Sequence, residues 1–219
     1  MSRRSAVFWI LNFLFLLQWA VLSHNVYSRS AWILENLLVF IFVVPVVRAY
    51  RANYLSQTSY LLIFIFASLH NLGAHYTYSL VPYDHWIESL TGISVNSTFG
   101  WSRNQYDRII HFLFGLLLFV PMREVVKHVG RLKGRQLDFV VLLFIISLST
   151  GYELLEWLAA VIFSEGAGPA YVGTQGDVWD AQKDQALAIC GVILAWVITG
   201  TKLPGPQAKT SGVARQRER

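Results

Sequence analysis

Tyr106-Asp107-Arg108-Ile109-Ile110-His111-Phe112-Leu113-Phe114-Gly115-Leu116-Leu117-Leu118-Phe119-Val120-Pro121 is the stretch that decides the fold. Its apolar part, residues 109–121, is shorter than the about 20 residues a membrane-crossing helix needs. A crossing therefore has to extend back through Asp107, which carries a carboxylate and the His111 imidazole into the membrane one helical turn apart on one face. Ionisable groups at that depth are costly and mark a functional site by default.

The rest of the chain fits a membrane setting. Of 219 residues, 54% are hydrophobic and only 14% charged, against roughly a quarter charged in soluble domains. Six helical spans are expected at about 6–22, 31–47, 59–76, 105–121, 138–163 and 180–200, each near the length a bilayer requires. The chain reads as an all-α polytopic bundle, residues 1–203 forming one transmembrane domain and 204–219 a basic, disordered cytoplasmic tail.

The formal charge of +5 is unevenly placed. Arg3 and Arg4 precede the first run, Arg48 and Arg51 follow the second, and Arg123, Lys127, Arg131, Lys133 and Arg135 separate the fourth from the fifth. Lys202, Lys209, Arg215, Arg217 and Arg219 follow the sixth. The loops between the third and fourth and between the fifth and sixth runs lean acidic, so the positive-inside pattern puts both termini in the cytoplasm. A basic excess spent on topology argues against a nucleic-acid partner; the bilayer itself is the expected one. Residues 2–22 have a basic start and an apolar run with no convincing cleavage site after them, which reads as a retained first span. Cys190 is the sole cysteine, so no intramolecular disulfide can brace the outer loops.

Three more segments bring acids or imidazoles toward the same end. Glu153 and Glu156 share a face of the fifth span, and two carboxylates so close in low dielectric call for a cation between them. A metal ion, Arg103, Arg108 and Lys183 are the candidates. Asp177, Asp180 and Asp184 enter the sixth span; Asp177 suits an N-cap, while Asp184 lies too deep for one. The preceding Gly173-Thr174-Gln175-Gly176 offers backbone N–H groups to an anion. His70, Asn71 and His75 close the third span, with Asn71 and His75 on one face and His70 offset by about 140°. Glu35 and Asn36 of the second span approach the same face, and the aromatic loop 77–105 suits an interfacial belt or a lid.

These segments resemble an inner-membrane family typified by YjdF. The likeness runs through Tyr106 to Phe112, through Gly151-Tyr152-Glu153-Leu154-Leu155-Glu156-Trp157, through Gly173 to Asp184, and through His70-Asn71-Leu72-Gly73-Ala74-His75-Tyr76. The resemblance implies an integral inner-membrane protein and brings no activity with it. The order of acid/His, glutamate and Asp-rich helices is also loosely similar to VanZ-type membrane proteins, an analogy of arrangement.

The functional expectation is a metal-dependent membrane enzyme, a hydrolase or transferase on a lipid-linked or envelope substrate. Mg²⁺, Mn²⁺ or Zn²⁺ would be held by Asp107, His111, Glu153, Glu156, Asp180, Asp184 and His70, with His75 and Asp177 in catalytic roles. A proton- or cation-coupled transporter is the second expectation, against which no inverted repeat or broken helix pair is evident. A non-catalytic protein whose acids pair with Arg103, Arg108 and Lys183 is the third.

Overall fold

A computed structural model of the chain describes residues 3–162 and 175–200. The expected tail at 204–219, Gly173 and Thr174 lie outside the described residues. Eight helices are described: α1 Arg3–Leu22, α2 Arg29–Arg51, α3 Gln57–His75, α4 Tyr83–Thr91, α5 Val95–Phe99, α6 Tyr106–Val129, α7 Gly134–Ile162 and α8 Asp180–Gly200. No strand occurs among the described residues. Local chemistry sets several starts. Ser28 accepts from the Ala31 amide at the head of α2, and Ser56 from the Ser59 amide at the head of α3, each satisfying an orphan N–H.

Among the described residues, five helices are long and apolar enough to cross a membrane: α1, α2, α6, α7 and α8. The third expected span, α3, is not among them. Its last turns carry His70, Asn71 and His75, and it packs against α1, α2 and α6, so it needs less apolar surface.

Two helices outrun their expected ends. Pro121 does not stop α6, which continues to Val129, just as α2 continues through Pro45 to Arg51. A proline removes one intrahelical bond; here the added turns of α6 are held by other contacts. Glu124 Oε2 accepts from the Ser56 amide at 2.7 Å and the Ser59 hydroxyl at 2.6 Å, and Arg123 donates to Asp138 at 2.5 Å. Lys127 and His128 in the last turn also suit the negative end of the helix.

Packing is densest where α6 meets α8. A Cβ added at Gly115 would lie 2.0 Å from the Ala188 carbonyl oxygen, and one at Gly191 would lie 2.1 Å from that of Phe112. The two backbones touch, as small residues allow in membranes. Phe119, Val126, Leu137, Val141, Ile145, Val192 and Ala195 form the core between α6, α7 and α8. A second cluster joins Phe8, Ala49, Leu55 and Tyr60, with Phe8 stacked on Tyr50 at 3.8 Å between centroids.

The 77–105 loop is built, rather than a loose belt. Tyr78, Val81 and Tyr83 are buried against Tyr106 and Ile110 of α6. The Asp84 carboxylate accepts from the Ser94 hydroxyl at 2.8 Å and the Asn96 amide at 3.0 Å, tying α4 to the start of α5. These bonds hold the Asp84 carboxyl below its ordinary range. Replacing Asp84 with Asn is therefore expected to loosen the loop, seen as faster amide exchange at residues 94–97 with little change in the spans.

Candidate metal centre at the loop end of the bundle

The i, i+4 arithmetic of α6 holds. His111 Nε2 lies 3.5 Å from Asp107 Oδ1 and 3.6 Å from Glu153 Oε1 of α7. Asp184 of α8 completes the group: one ligand-type atom from each of Asp107, His111 and Asp184 lies within 4.8 Å of the others. All are buried, Asp184 to 2% exposure and Glu153 to 8%. Neither Asp184 Oδ1 nor Glu153 Oε1 has a hydrogen-bond partner. Buried carboxylate oxygens without donors are expensive unless a cation lies between them. Two hard oxygens and one imidazole nitrogen within this radius, with Glu153 Oε1 3.6 Å from that nitrogen, fit a divalent ion. Glu156, buried one helical turn beyond Glu153, stands behind this set.

Arg103, Arg108 and Lys183, the candidate cations for Glu153 and Glu156, pair instead with Asp177 and Asp180. Arg103 pairs with Asp180 through both guanidinium ends and lies 3.6 Å from Asp177. Arg108 donates to Asp177 Oδ2, which also accepts from Lys183 Nζ at 2.6 Å. Asp177 and Asp180 thus form a clasp with three cations. Both are nearer the helix start than Asp184, where the cations of 103–108 reach them. The expected catalytic Asp177 and ligand Asp180 are spent on these pairs.

Asp177 also accepts from the Trp179 amide, and with Lys183 first among the causes its carboxyl is pulled down to about 2. A depressed acid stabilises the fold above its ordinary value of 3.8 and loses that contribution as pH falls through about 2. The melting difference between the wild type and Asp177→Asn is expected to be constant at neutral pH and to vanish between pH 4 and pH 2. A difference unchanged over that interval would remove the clasp from the account.

Gln175 serves the same closure. Its Oε1 accepts from the Asn104 amide at 2.9 Å and its Nε2 donates to the Asn104 carbonyl at 3.1 Å. Gln175 and Gly176 both hold left-handed backbone, φ +49° and +85°, and through the Gln175 amide the described half of the Gly-rich segment docks on the loop at Asn104.

The expected ligand His70 is turned to other partners. Tyr78 Oη donates to its Nδ1 at 2.5 Å, leaving Nε2 to face the Glu35 carbonyl at 3.4 Å and carboxylate at 3.8 Å. Both ring nitrogens are engaged, so neither is left for the Asp107, His111 and Asp184 group. Glu35, which the sequence placed at the right depth without a role, is 2% exposed and lies 3.3 Å from the Tyr152 hydroxyl. Tyr152 in turn meets the His111 ring edge-on at 5.7 Å. A buried carboxylate on the second span was the available signal. Its tyrosine partner was not legible, since a phenol needs no distinctive spacing.

His75 donates from Nδ1 to the Leu22 carbonyl at 2.8 Å, and its own carbonyl accepts from the Tyr27 amide. It pins the α1–α2 connection to the end of α3. Asn71 is buried with neither amide atom bonded.

The family of predicted membrane proteins DUF2238 matches residues 6–203. The chain belongs to the DUF2238 family. The inner membrane protein YjdF of Escherichia coli (strain K12) is 34% identical to this DUF2238 protein over 170 residues, covering 77% of each chain. No solved structure matches it. The DUF2238 chain is thus a multi-pass protein of the bacterial inner membrane, and the family resemblance read from its motifs is upheld.

Proposed function

We propose that this protein is a metal-dependent membrane enzyme whose centre opens to the extracytoplasmic side. Its action would be hydrolysis or group transfer on a lipid-linked or envelope substrate. In this reading α3 is the sixth span and both termini are cytoplasmic, as the placement of basic residues requires.

The observation that carries the proposal is the pair of partnerless oxygens, Asp184 Oδ1 and Glu153 Oε1, beside Asp107 and His111. The proposed ligand set is Asp107, His111, Glu153 and Asp184, delivered by three helices. Oxygen-rich ligation with one imidazole suits Mg²⁺, Mn²⁺ or Zn²⁺. Such an ion supplies Lewis acidity toward a phosphoryl or acyl oxygen and an activated water. Glu156 behind Glu153, and Tyr152 between Glu35 and His111, would orient these ligands. The arginine clasp at Asp177 and Asp180 would close the same end against solvent.

Elemental analysis of detergent-purified protein tests the reading. A divalent ion retained in near-stoichiometric amount through desalting is the expected result. Protein that carries no such ion and takes up none on titration with Mn²⁺ or Zn²⁺ would overturn it.

A further inference from the structure

On the outward side of the seam where α6 meets α8 runs a groove of about 560 Å³. Ile109, Phe112 and Leu187 line its length, and Trp101, Arg108 and Lys183 stand at its loop end. We propose that this groove holds an anionic glycerophospholipid of the leaflet on that side, its acyl chain along the apolar wall and its phosphate against Arg108 and Lys183. The site is separate from the metal centre and stands whether or not that centre binds an ion.

The charges favour this occupant. The lining includes two cations and no carboxylate. In the clasp above it, Arg103, Arg108 and Lys183 face Asp177 and Asp180, three positive charges to two negative. The Asp177 Oδ2 oxygen is shared between Arg108 and Lys183, so neither cation has a carboxylate to itself. The Arg108 side chain is 19% exposed and the Lys183 side chain 49%. A phosphate oxygen can approach the exposed Lys183 ammonium and the open edge of the Arg108 guanidinium, with charge-assisted bonds stronger than those of a neutral acceptor.

The depth agrees. Trp101 is half-exposed at the loop end, the level at which tryptophans seat in the headgroup region. Ile109 is open to the outside just below it, where a chain of the bilayer would lie. Anionic headgroups are drawn to basic residues at this level, which a zwitterionic lipid matches only in part.

Native mass spectrometry on the detergent-purified full chain tests the assignment. Wild type, Lys183→Gln and Leu187→Trp are each incubated with phosphatidylglycerol, phosphatidylcholine or a polyprenyl phosphate at equal concentration. Wild type is expected to retain phosphatidylglycerol in preference to both other lipids. Lys183→Gln, at an exposed position, is expected to retain about fivefold less of it, the effect of one basic residue near a membrane surface. Leu187→Trp, which fills the groove, should retain neither glycerophospholipid. Equal retention of phosphatidylglycerol and phosphatidylcholine by wild type would overturn the proposal, as would unchanged retention by Lys183→Gln. Preferential capture of the polyprenyl phosphate would also overturn it, assigning the groove to a lipid-linked molecule instead of a bilayer lipid.

Discussion

Gly115→Ala is expected to destabilise the protein by about 2–3 kcal/mol, the usual scale for forcing a methyl group into a filled interior. The collision is with backbone: the new Cβ would sit 2.0 Å from the Ala188 carbonyl oxygen and 2.9 Å from the Val192 nitrogen. No side-chain rotation relieves it, so α6 and α8 must move apart by roughly an ångström to restore ordinary contact. Gly191→Ala should behave alike, because its Cβ would meet the Phe112 carbonyl from the other helix. Gly151 of α7 supplies the contrast. Nothing lies within 4 Å of a Cβ there, so Gly151→Ala should be neutral or gain up to about 1 kcal/mol of helix propensity. Melting temperatures in one detergent separate the three. Equal tolerance of alanine at 115 and 151 would mean that the two helices do not touch as described. The same separation would draw Asp184 away from Asp107 and His111, so a divalent ion should bind the Gly115→Ala protein more weakly.

This contact shows why some of the molecule was legible in its sequence and some was not. Hydropathy and length located α1, α2, α6, α7 and α8, because a helix facing lipid has to be apolar for its whole crossing. The ends were less legible. Pro121 reads as a stop in isolation, yet Arg123 and Glu124 find Asp138, Ser56 and Ser59 and carry α6 two turns further. Those partners lie on other helices, and no local pattern encodes them. Asp138 itself, buried with Arg123 and the Trp196 indole, stands at the start of the fifth expected span with no local spacing that marks its partners.

The centre divides in the same way. Asp107 and His111 were readable as neighbours because one helical turn relates them. That Asp184 rather than Asp180 joins them depends on where the loop cations go. Arg103 and Arg108 lie just ahead of and within the first turn of α6, at the height of Asp177 and Asp180, and pair there. Asp184, one turn deeper than Asp180, is left facing α6 with an oxygen that has no donor. The loop arginines thus sort the aspartates: two are paired at the loop end and one is left beside Asp107 and His111. His70 was excluded by Tyr78, a residue from the loop that folds back over α3.

Asp184→Asn is the substitution whose outcome most sharply separates a metal centre from a set of structural acids, because the two readings predict opposite signs. Asp184 and Glu153 each direct an unbonded oxygen into the space by His111. If a cation holds them together, the amide removes a ligand. Loss of an outer-shell partner costs roughly 10–100-fold in affinity, so a direct ligand should cost at least about a hundredfold. Wild type should then melt later on adding Mn²⁺ or Zn²⁺, by an amount that reaches about 2.7 kcal/mol at a hundred times the dissociation constant. The variant should show no such rise. In chelator the order should reverse: without an ion, Asp184, Asp107 and Glu153 repel one another across a poorly solvated space, and the amide removes one charge. Asp184→Asn should therefore be the more stable protein in chelator and the less stable in metal. A variant more stable than wild type under both conditions, with no metal-dependent shift in either protein, would leave the acids with no ion to hold. His111→Ala serves as the second arm, since it removes the single nitrogen ligand while leaving all three carboxylates, and should abolish the metal-dependent rise without bringing the gain in chelator.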